Sequence, residues 1–301
     1  MLSPAPSPAF EWRATGTRWR IHHHGTLAPA VAEAAAALTA ADEARWSRFR
    51  EDSEVCAVSR GAGRWVPVSR PTFRLAAACE SWRMATGGVF QPLVGAALSG
   101  WGYAAGIEEE PMYAEHSPGP APVTGRIDLD ERQGAIRIPL GTSLDLGGIG
   151  KGWIAARVGR MLARLVGDEP TLLDAGGDLL AVHGRHTVAV SHATGEGHDA
   201  PAPLRAVRLR QGEALATSGT AHRAWRNGDG AAAHHLIDPA TGCPTAPAQA
   251  SVLSGDVVAA DVWATVLALR PHRLSTSGLA ALITTEDRTE ATTGWRAAAI
   301  G

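Results

Sequence analysis

The spacing of apolar residues along this chain changes several times, and each change predicts an element. "TRWRIHHHG" alternates bulky and polar residues, which predicts an edge strand that turns at Gly25. From Pro29 to Arg48 alanine dominates, and Val31, Ala34, Leu38 and Ala41 recur at helical spacing behind a proline suited to a first turn. A second helix is predicted over Thr72 to Thr86, where Leu75, Cys79 and Trp82 make one stripe and Gly87-Gly88 supplies the stop. "GPAPVTGRIDLDERQGAIRIP" reads as a loop followed by a hairpin of short strands. A third helix starts near Lys151, with Ile154, Val158, Met161 and Leu165 on one face and Gly167 at its end.

Downstream, "PTLLDAGGDLLAVHG", "HTVAVS", "LRAVRLR" and "EALATSG" are short apolar or alternating runs between glycine-rich turns, the signature of a mostly antiparallel sheet. "SVLSGDVVAADVWATVLALRP" predicts a strand and then a helix stopped by Pro271, and the last thirty residues read as two strands around a polar turn. No break in composition cuts the chain. The expected architecture is α+β: one large domain over residues 13–301 with mostly antiparallel sheet and packed helices, open to an internal duplication into two similar halves. A Pro/Ala-rich flexible tail over residues 1–12 is expected to precede it.

Composition narrows the function. A chain of 301 residues that is 45% hydrophobic can bury a substantial core, and a formal charge of -2 offers no footprint for nucleic acid or an anionic membrane. Cys56, Cys79 and Cys243 form no CxxC pair, so free thiols are expected rather than a disulfide framework or a zinc site. With no signal-like or lipid-acceptor start and no membrane-length apolar run, the expectation is a cytoplasmic protein without membrane insertion.

The chemistry gathers at three places. "SLDLGGIGKGW" misses the P-loop pattern, because Asp145 stands at its first glycine and Gly152 at its metal-binding hydroxyl. It misses the dinucleotide fingerprint as well, with Trp153 at the third glycine. Unshielded backbone amides, a helix N-terminus and Lys151 still make a loop able to cradle phosphate, although such glycines often serve tight packing alone. In "AADVWATVLAL", Asp261 and Thr265 share a helix face and offer oxygen ligands to a hard cation such as Mg²⁺; the plainer alternative is a capping Asp and a Thr bonded to a helical carbonyl. "AAAHHLIDPATGCP" sets Asp238 as a turn organiser and His235 as a group able to accept a proton from a hydroxyl. His22, His23 and His24 are adjacent on a strand, point to opposite faces and are read as a solvated strand end.

Together with "RFREDSEV", "TGGVFQPLVGAALSGWGY", "LLDAGGDLLAVHG" and "ATSGTAHRAW", these three motifs resemble the ApbE family of FAD:protein FMN transferases over nearly the whole chain. The resemblance implies a T-fold-like α+β domain and a magnesium-dependent enzyme. Its reaction would move FMN from FAD to a threonine or serine hydroxyl of an acceptor flavoprotein, releasing AMP. It implies Asp261, Thr265 and the Gly148 carbonyl as metal ligands, and His235 with Asp261 as the catalytic pair. FAD contacts are implied at Gly16, Phe49, Phe90, Gln91, Pro92, Asp145, Lys151, Thr217, Ser218 and His235.

Departures from the family pattern fall at Phe49, where a tyrosine is usual, at Gln91 in place of an aspartate, at Thr15 in place of a methionine, and after "TSG", where an acidic-aromatic pair is missing. An FAD pyrophosphatase and a non-catalytic FAD carrier are the competing readings. Acceptor recognition is expected in surface loops such as the one from Ala104 to Pro122, and Trp101 and Tyr103 are read as packing residues.

Overall fold

The computed structural model of the protein describes residues 8–104, 113–191 and 203–300. Its centre is an eight-stranded sheet whose strands follow one another in chain order: β1 (Phe10–Ala14), β2 (Thr17–His23), β3 (Thr171–Ala175), β4 (Asp178–His183), β5 (Ala214–Gly219), β6 (Ala248–Ser254), β7 (Ala280–Thr285) and β8 (Thr289–Ala291). Every neighbouring pair is antiparallel. Helices are inserted between the strands: α1 (Pro29–Trp46), α2 (Glu54–Arg60), α3 (Arg70–Ala85), α4 (Gly95–Gly100) and α5 (Gly150–Leu165) between β2 and β3, α6 (Val257–Leu269) between β6 and β7, and α7 (Thr293–Ala298) after β8. The expected α+β class, dominated by antiparallel sheet, is what the chain forms.

The sheet is buried on both faces, which follows from its double-sided strands. Leu173 joins Trp19, Ile21, Ala214, Ala216 and Ile283 in a core shared with Ile154 and Val158 of α5 and Val262 and Val266 of α6. Leu172, Leu215 and Leu282, each one residue out of phase, pack on the other face against Val207, Leu209 and Trp295. Side chains alternate across a strand, so adjacent apolar residues fill two cores.

Several sequence expectations shift by one step. "TRWRIHHHG" forms an inner strand, since Phe10–Ala14 pairs outside it as β1 and takes in the last three residues of the stretch expected to be tail; residues 1–7 lie outside the described residues. The buried stripe of α1 is Ala32, Ala35, Thr39, Asp42 and Trp46, one position on from the expected one, because Asp42 is drawn inward by Arg45 and Arg157. On α5 Ile154 and Val158 are buried as expected, but Leu165 is exposed at the helix end, and Leu162 with Gly152, Ala155 and Gly159 completes the buried face. The C-terminal segment adds α7, whose Thr292 hydroxyl accepts from the Trp295 amide. Among the described residues no helix is long and apolar enough to cross a membrane, and all three cysteines are free.

The contact that positions the site is between α5 and α6. Their axes approach so closely at Gly152 that a Cβ there would lie 2.9 Å from both the Asp261 Cβ and the Val257 carbonyl oxygen. Gly152→Ala is therefore expected to overpack this junction and lower stability by ~1–3 kcal/mol, read as a drop in the urea midpoint with an unchanged m-value.

Candidate functional site

Three elements deliver polar groups to one place. The loop before α5 brings Gly148 and, one turn later, Lys151; α6 brings Asp261 and Thr265; the end of β5 brings Thr217 and Ser218. Asp256, and not Asp261, caps α6, its side chain accepting from the Val258 and Ala259 amides, which leaves Asp261 free for another role. Asp261 is 1% exposed, and its Oδ2 accepts from the Gly152 amide at 2.8 Å. Thr265 Oγ1 lies 3.1 Å from Ser218 Oγ. A Cβ on Gly148 would sit 3.3 Å from Thr265 Oγ1 and 3.4 Å from the Phe90 ring, so the bare backbone of this loop rests directly against the threonine.

The side-chain groups that meet here are oxygen donors, the Asp261 carboxylate and the Thr265 hydroxyl, with the Gly148 backbone against the threonine. Among the described residues no group of three or more His, Cys, Asp or Glu is placed to hold a metal. A cation here would thus be a hard one with few protein ligands, and Mg²⁺ fits these residues.

Lys151 Nζ is 2.5 Å from Asp178 Oδ2 and 3.6 Å from Asp261 Oδ1. Burial alone would lower its pKa, but the two carboxylates outweigh that and hold it above the ordinary lysine value. Burial pushes the Asp178 carboxyl up, against the pull of the Lys151 ammonium, and the neighbouring Asp261 adds to the rise. Asp178 Oδ1 also accepts from the Thr217 amide at 3.2 Å, so one carboxylate aims the lysine and ties down β5. Sequence reading overlooked Asp178: it opens a strand inside "DAGGDLL", where hydropathy gives an isolated acid no special mark.

The doubled histidine separates into a structural and a chemical member. His234 is buried, with Nε2 bonded to the Thr245 carbonyl at 2.8 Å and Nδ1 accepting from the Leu236 amide at 3.2 Å, so both ring nitrogens are committed. The Nδ1 atom of His235 is buried and has no partner. Burial drives the His235 pKa down to about 3, helped by the positive charge of Arg223 and by His234, and the imidazole is neutral at physiological pH. Asp238 organises the turn as expected, accepting from the Ala240 amide at 2.8 Å, and it also pairs with Arg270 at 2.5 Å.

The other expected contact residues fall into separate groups. Phe49 meets Tyr103 edge-on at 5.3 Å, and Trp225 lies 6.0 Å beyond Tyr103. Asp145 is ion-paired to Arg48 at 2.8 Å and also accepts from the Gly147 amide. The Arg48 guanidinium lies 4.4 Å from the Phe49 ring centroid and 4.7 Å from that of Tyr103. Arg223 donates to the Tyr103 hydroxyl at 3.0 Å. Arg48 and Arg223 escaped the sequence reading, which had no periodic signal to place them. Trp101 packs in a smaller cluster of its own with Leu98, Tyr103, Ala233 and Ile237, its indole donating to the Gly242 carbonyl.

Gln91 is buried and braces its own loop, its amide nitrogen donating to the Gly125 carbonyl and its oxygen accepting from the Leu93 amide. The Pro92 carbonyl accepts from the Asp145 amide at 2.9 Å, which fixes the start of the glycine loop. Gly16, with φ of 66°, shares the β1–β2 hairpin turn with Thr15 at 53°; the neighbouring Thr17 packs against Gly176, two residues before Asp178. Residues 105–112, at the centre of the loop expected to recognise an acceptor, lie outside the described residues.

The family model described as "ApbE family" matches residues 15–286, which takes in every group of this site. The chain belongs to the ApbE family. A curated relative from Klebsiella pneumoniae (strain 342), named FAD:protein FMN transferase, is 29% identical over 230 residues, covering 72% of this chain and 68% of the relative. Among solved structures, the ApbE protein of Thermotoga maritima superposes with a TM-score of 0.81 at 22% identity, over 97% of this chain and 99% of that one. The flavin transferase ApbE of Vibrio cholerae gives 0.75 at 20% identity, over 96% and 97%. These likenesses place the eight-stranded sheet and its helices in the ApbE fold.

For this ApbE chain the buried neutral His235 has a consequence for stability. Its folded pKa is depressed from 6.5 to about 3, so the unfolded chain binds a proton that the folded one refuses. The contribution is fully present above pH 6.5 and is lost progressively as the pH falls toward 3. His235→Gln is expected to lose less stability than wild type between pH 7.5 and pH 5, measured by urea denaturation at the two pH values.

Proposed function

We propose that this chain transfers the FMN moiety of FAD to a threonine or serine hydroxyl of an acceptor protein and releases AMP, with Mg²⁺ held by Asp261, Thr265 and the Gly148 carbonyl. What supports the reading is the meeting of the Asp261 carboxylate, the Thr265 hydroxyl and the half-buried Lys151 ammonium beside the glycine loop, together with a His235 that feels the Lys151 charge and whose Nδ1 has no hydrogen-bond partner among the described residues. A bound Mg²⁺ would supply charge neutralisation on the pyrophosphate oxygens.

The chain's own groups do the rest. Lys151, aimed by Asp178, binds a pyrophosphate oxygen as a fixed point charge. Phe49 and Trp225, both partly exposed and packed on the buried Tyr103, offer aromatic surface to a planar ring, with Arg48 beside them. The acceptor hydroxyl oxygen forms a bond to the FMN phosphorus, the bond from that phosphorus to the bridging oxygen breaks, and AMP departs with the bridging oxygen.

His235 Nδ1 takes the hydroxyl proton. Its low pKa makes it a weak base in the free protein, and the negative pyrophosphate offsets the Arg223 and Lys151 charges that depress it. Phosphoryl transfer asks chiefly for position and charge, which this arrangement supports. A protein that only carried FAD would have no use for this constellation, and a hydrolase would differ in letting water take the hydroxyl's place.

The test is incubation of the protein with FAD, Mg²⁺ and a flavoprotein fragment that bears an acceptor threonine, followed by mass spectrometry of protein and nucleotide. The expected result is an FMN adduct on the fragment together with AMP, both abolished by EDTA. Asp261→Ala is expected to reduce the rate by at least ~100-fold, the scale on which metal-site losses act. Free FMN and AMP without an adduct would replace the transferase by the hydrolase, and intact FAD bound equally well in EDTA would replace both by a carrier.

A further inference from the structure

On the side of α5 turned away from Lys151, a recess of about 150 Å³ lies between α5 and the first turns of α3, lined by Arg70, Pro71, Arg74, Trp153, Arg157 and Arg160. Two stretches of sequence that lack acidic residues meet there. Between Arg60 and Arg74 the chain has four arginines and no Asp or Glu, and between Asp145 and Asp168 it has Lys151 and three arginines with none. Arg157 is anchored from beneath, its Nε 2.8 Å from the fully buried Asp42, which Arg45 also engages at 2.9 Å. Arg70, Arg74 and Arg160 are exposed, and among the described residues no carboxylate pairs with them.

The concentration is local. Without the four lining arginines the chain's 28 basic and 30 acidic residues become 24 and 30, so the rest of the molecule repels an acidic partner that this recess attracts. Guanidiniums are planar forks matched to carboxylates, and a recess of this volume admits side-chain carboxylates but is too small for a nucleotide. Trp153 is half-buried against the main core and does not project as a wedge toward a bilayer. The recess also has a fixed relation to the site: Lys151 and Arg160 lie on one rigid helix, nine residues or ~14 Å apart along its axis and about two and a half turns around it.

We propose that this arginine recess docks an acidic segment of the acceptor protein and holds it while the acceptor hydroxyl reaches the site at the N-terminal end of α5. The proposal rests on the transferase reading for the identity of the partner, and its primary test needs no FAD. The intact protein is titrated against rhodamine-labelled hexaglutamate by fluorescence anisotropy, beside the variant Arg70→Glu/Arg74→Glu/Arg160→Glu, whose exposed positions leave the fold intact by circular dichroism.

Binding that weakens with added salt and falls at least ten-fold in the variant is the expected result. Absence of peptide binding, or equal binding by both proteins, overturns the proposal. So does sedimentation with phosphatidylserine vesicles through the same arginines when hexaglutamate fails to compete, which would make the recess a membrane contact. In the transfer assay the variant should raise the KM for the acceptor at least ten-fold while leaving its KM for FAD unchanged; an unchanged acceptor KM counts against docking. Failure of FMN transfer by wild type would sink the transferase reading alone, and the peptide titration would still decide whether the recess binds acidic chains.

Discussion

One hydrogen bond across the junction of two helices fixes the rest of the site: the Gly152 amide donates to the buried carboxylate of Asp261. A hydrogen bond to a charged group contributes ~1.5–3 kcal/mol, and this one forms only because residue 152 has no side chain to keep α5 and α6 apart. Holding Asp261 against the first turn of α5 sets the carboxylate 3.6 Å from Lys151 and brings Thr265, one turn along α6, against Gly148. The glycine that spoils the P-loop pattern is therefore required for another reason. In place of the P-loop hydroxyl, the position receives on its backbone amide a carboxylate from the neighbouring helix.

Electrostatic balance then follows from burial. Two carboxylates and one ammonium share a space with little water, so the lysine stays charged and Asp178 is held in place by the ion pair. Arg48 and Asp145 form a second pair, each side chain about a tenth exposed, beside the aromatic cluster. The buried strands and helices behind both pairs leave these groups little freedom to relax.

Much of this was legible in the sequence where local pattern and chemistry coincide. The α5 start, the Asp261 and Thr265 pairing and the Asp238 turn follow from helical spacing and turn residues alone. The family motifs added an expectation that spacing could not, a backbone-carbonyl ligand at Gly148. Other features depend on contacts between distant segments. Asp178 matters because a lysine 27 residues earlier reaches it. His235 differs from His234 through burial and neighbours, and neighbouring positions in a sequence do not record that. The buried face of α1 slipped by one residue because a buried Asp42, paired to Arg157 of another helix, counts as polar in any hydropathy pattern. The strands of the large sheet blur their alternation because both faces are covered.

The central claim is that the α5–α6 junction builds a metal and pyrophosphate site. Crystals grown with FAD and Mn²⁺, measured at the manganese absorption edge, test it most directly. One anomalous peak bounded by Asp261, Thr265 and the Gly148 carbonyl is expected, with the FAD pyrophosphate beside it and against Lys151. Pyrophosphate density in another cleft, or a manganese peak away from Asp261, would contradict it.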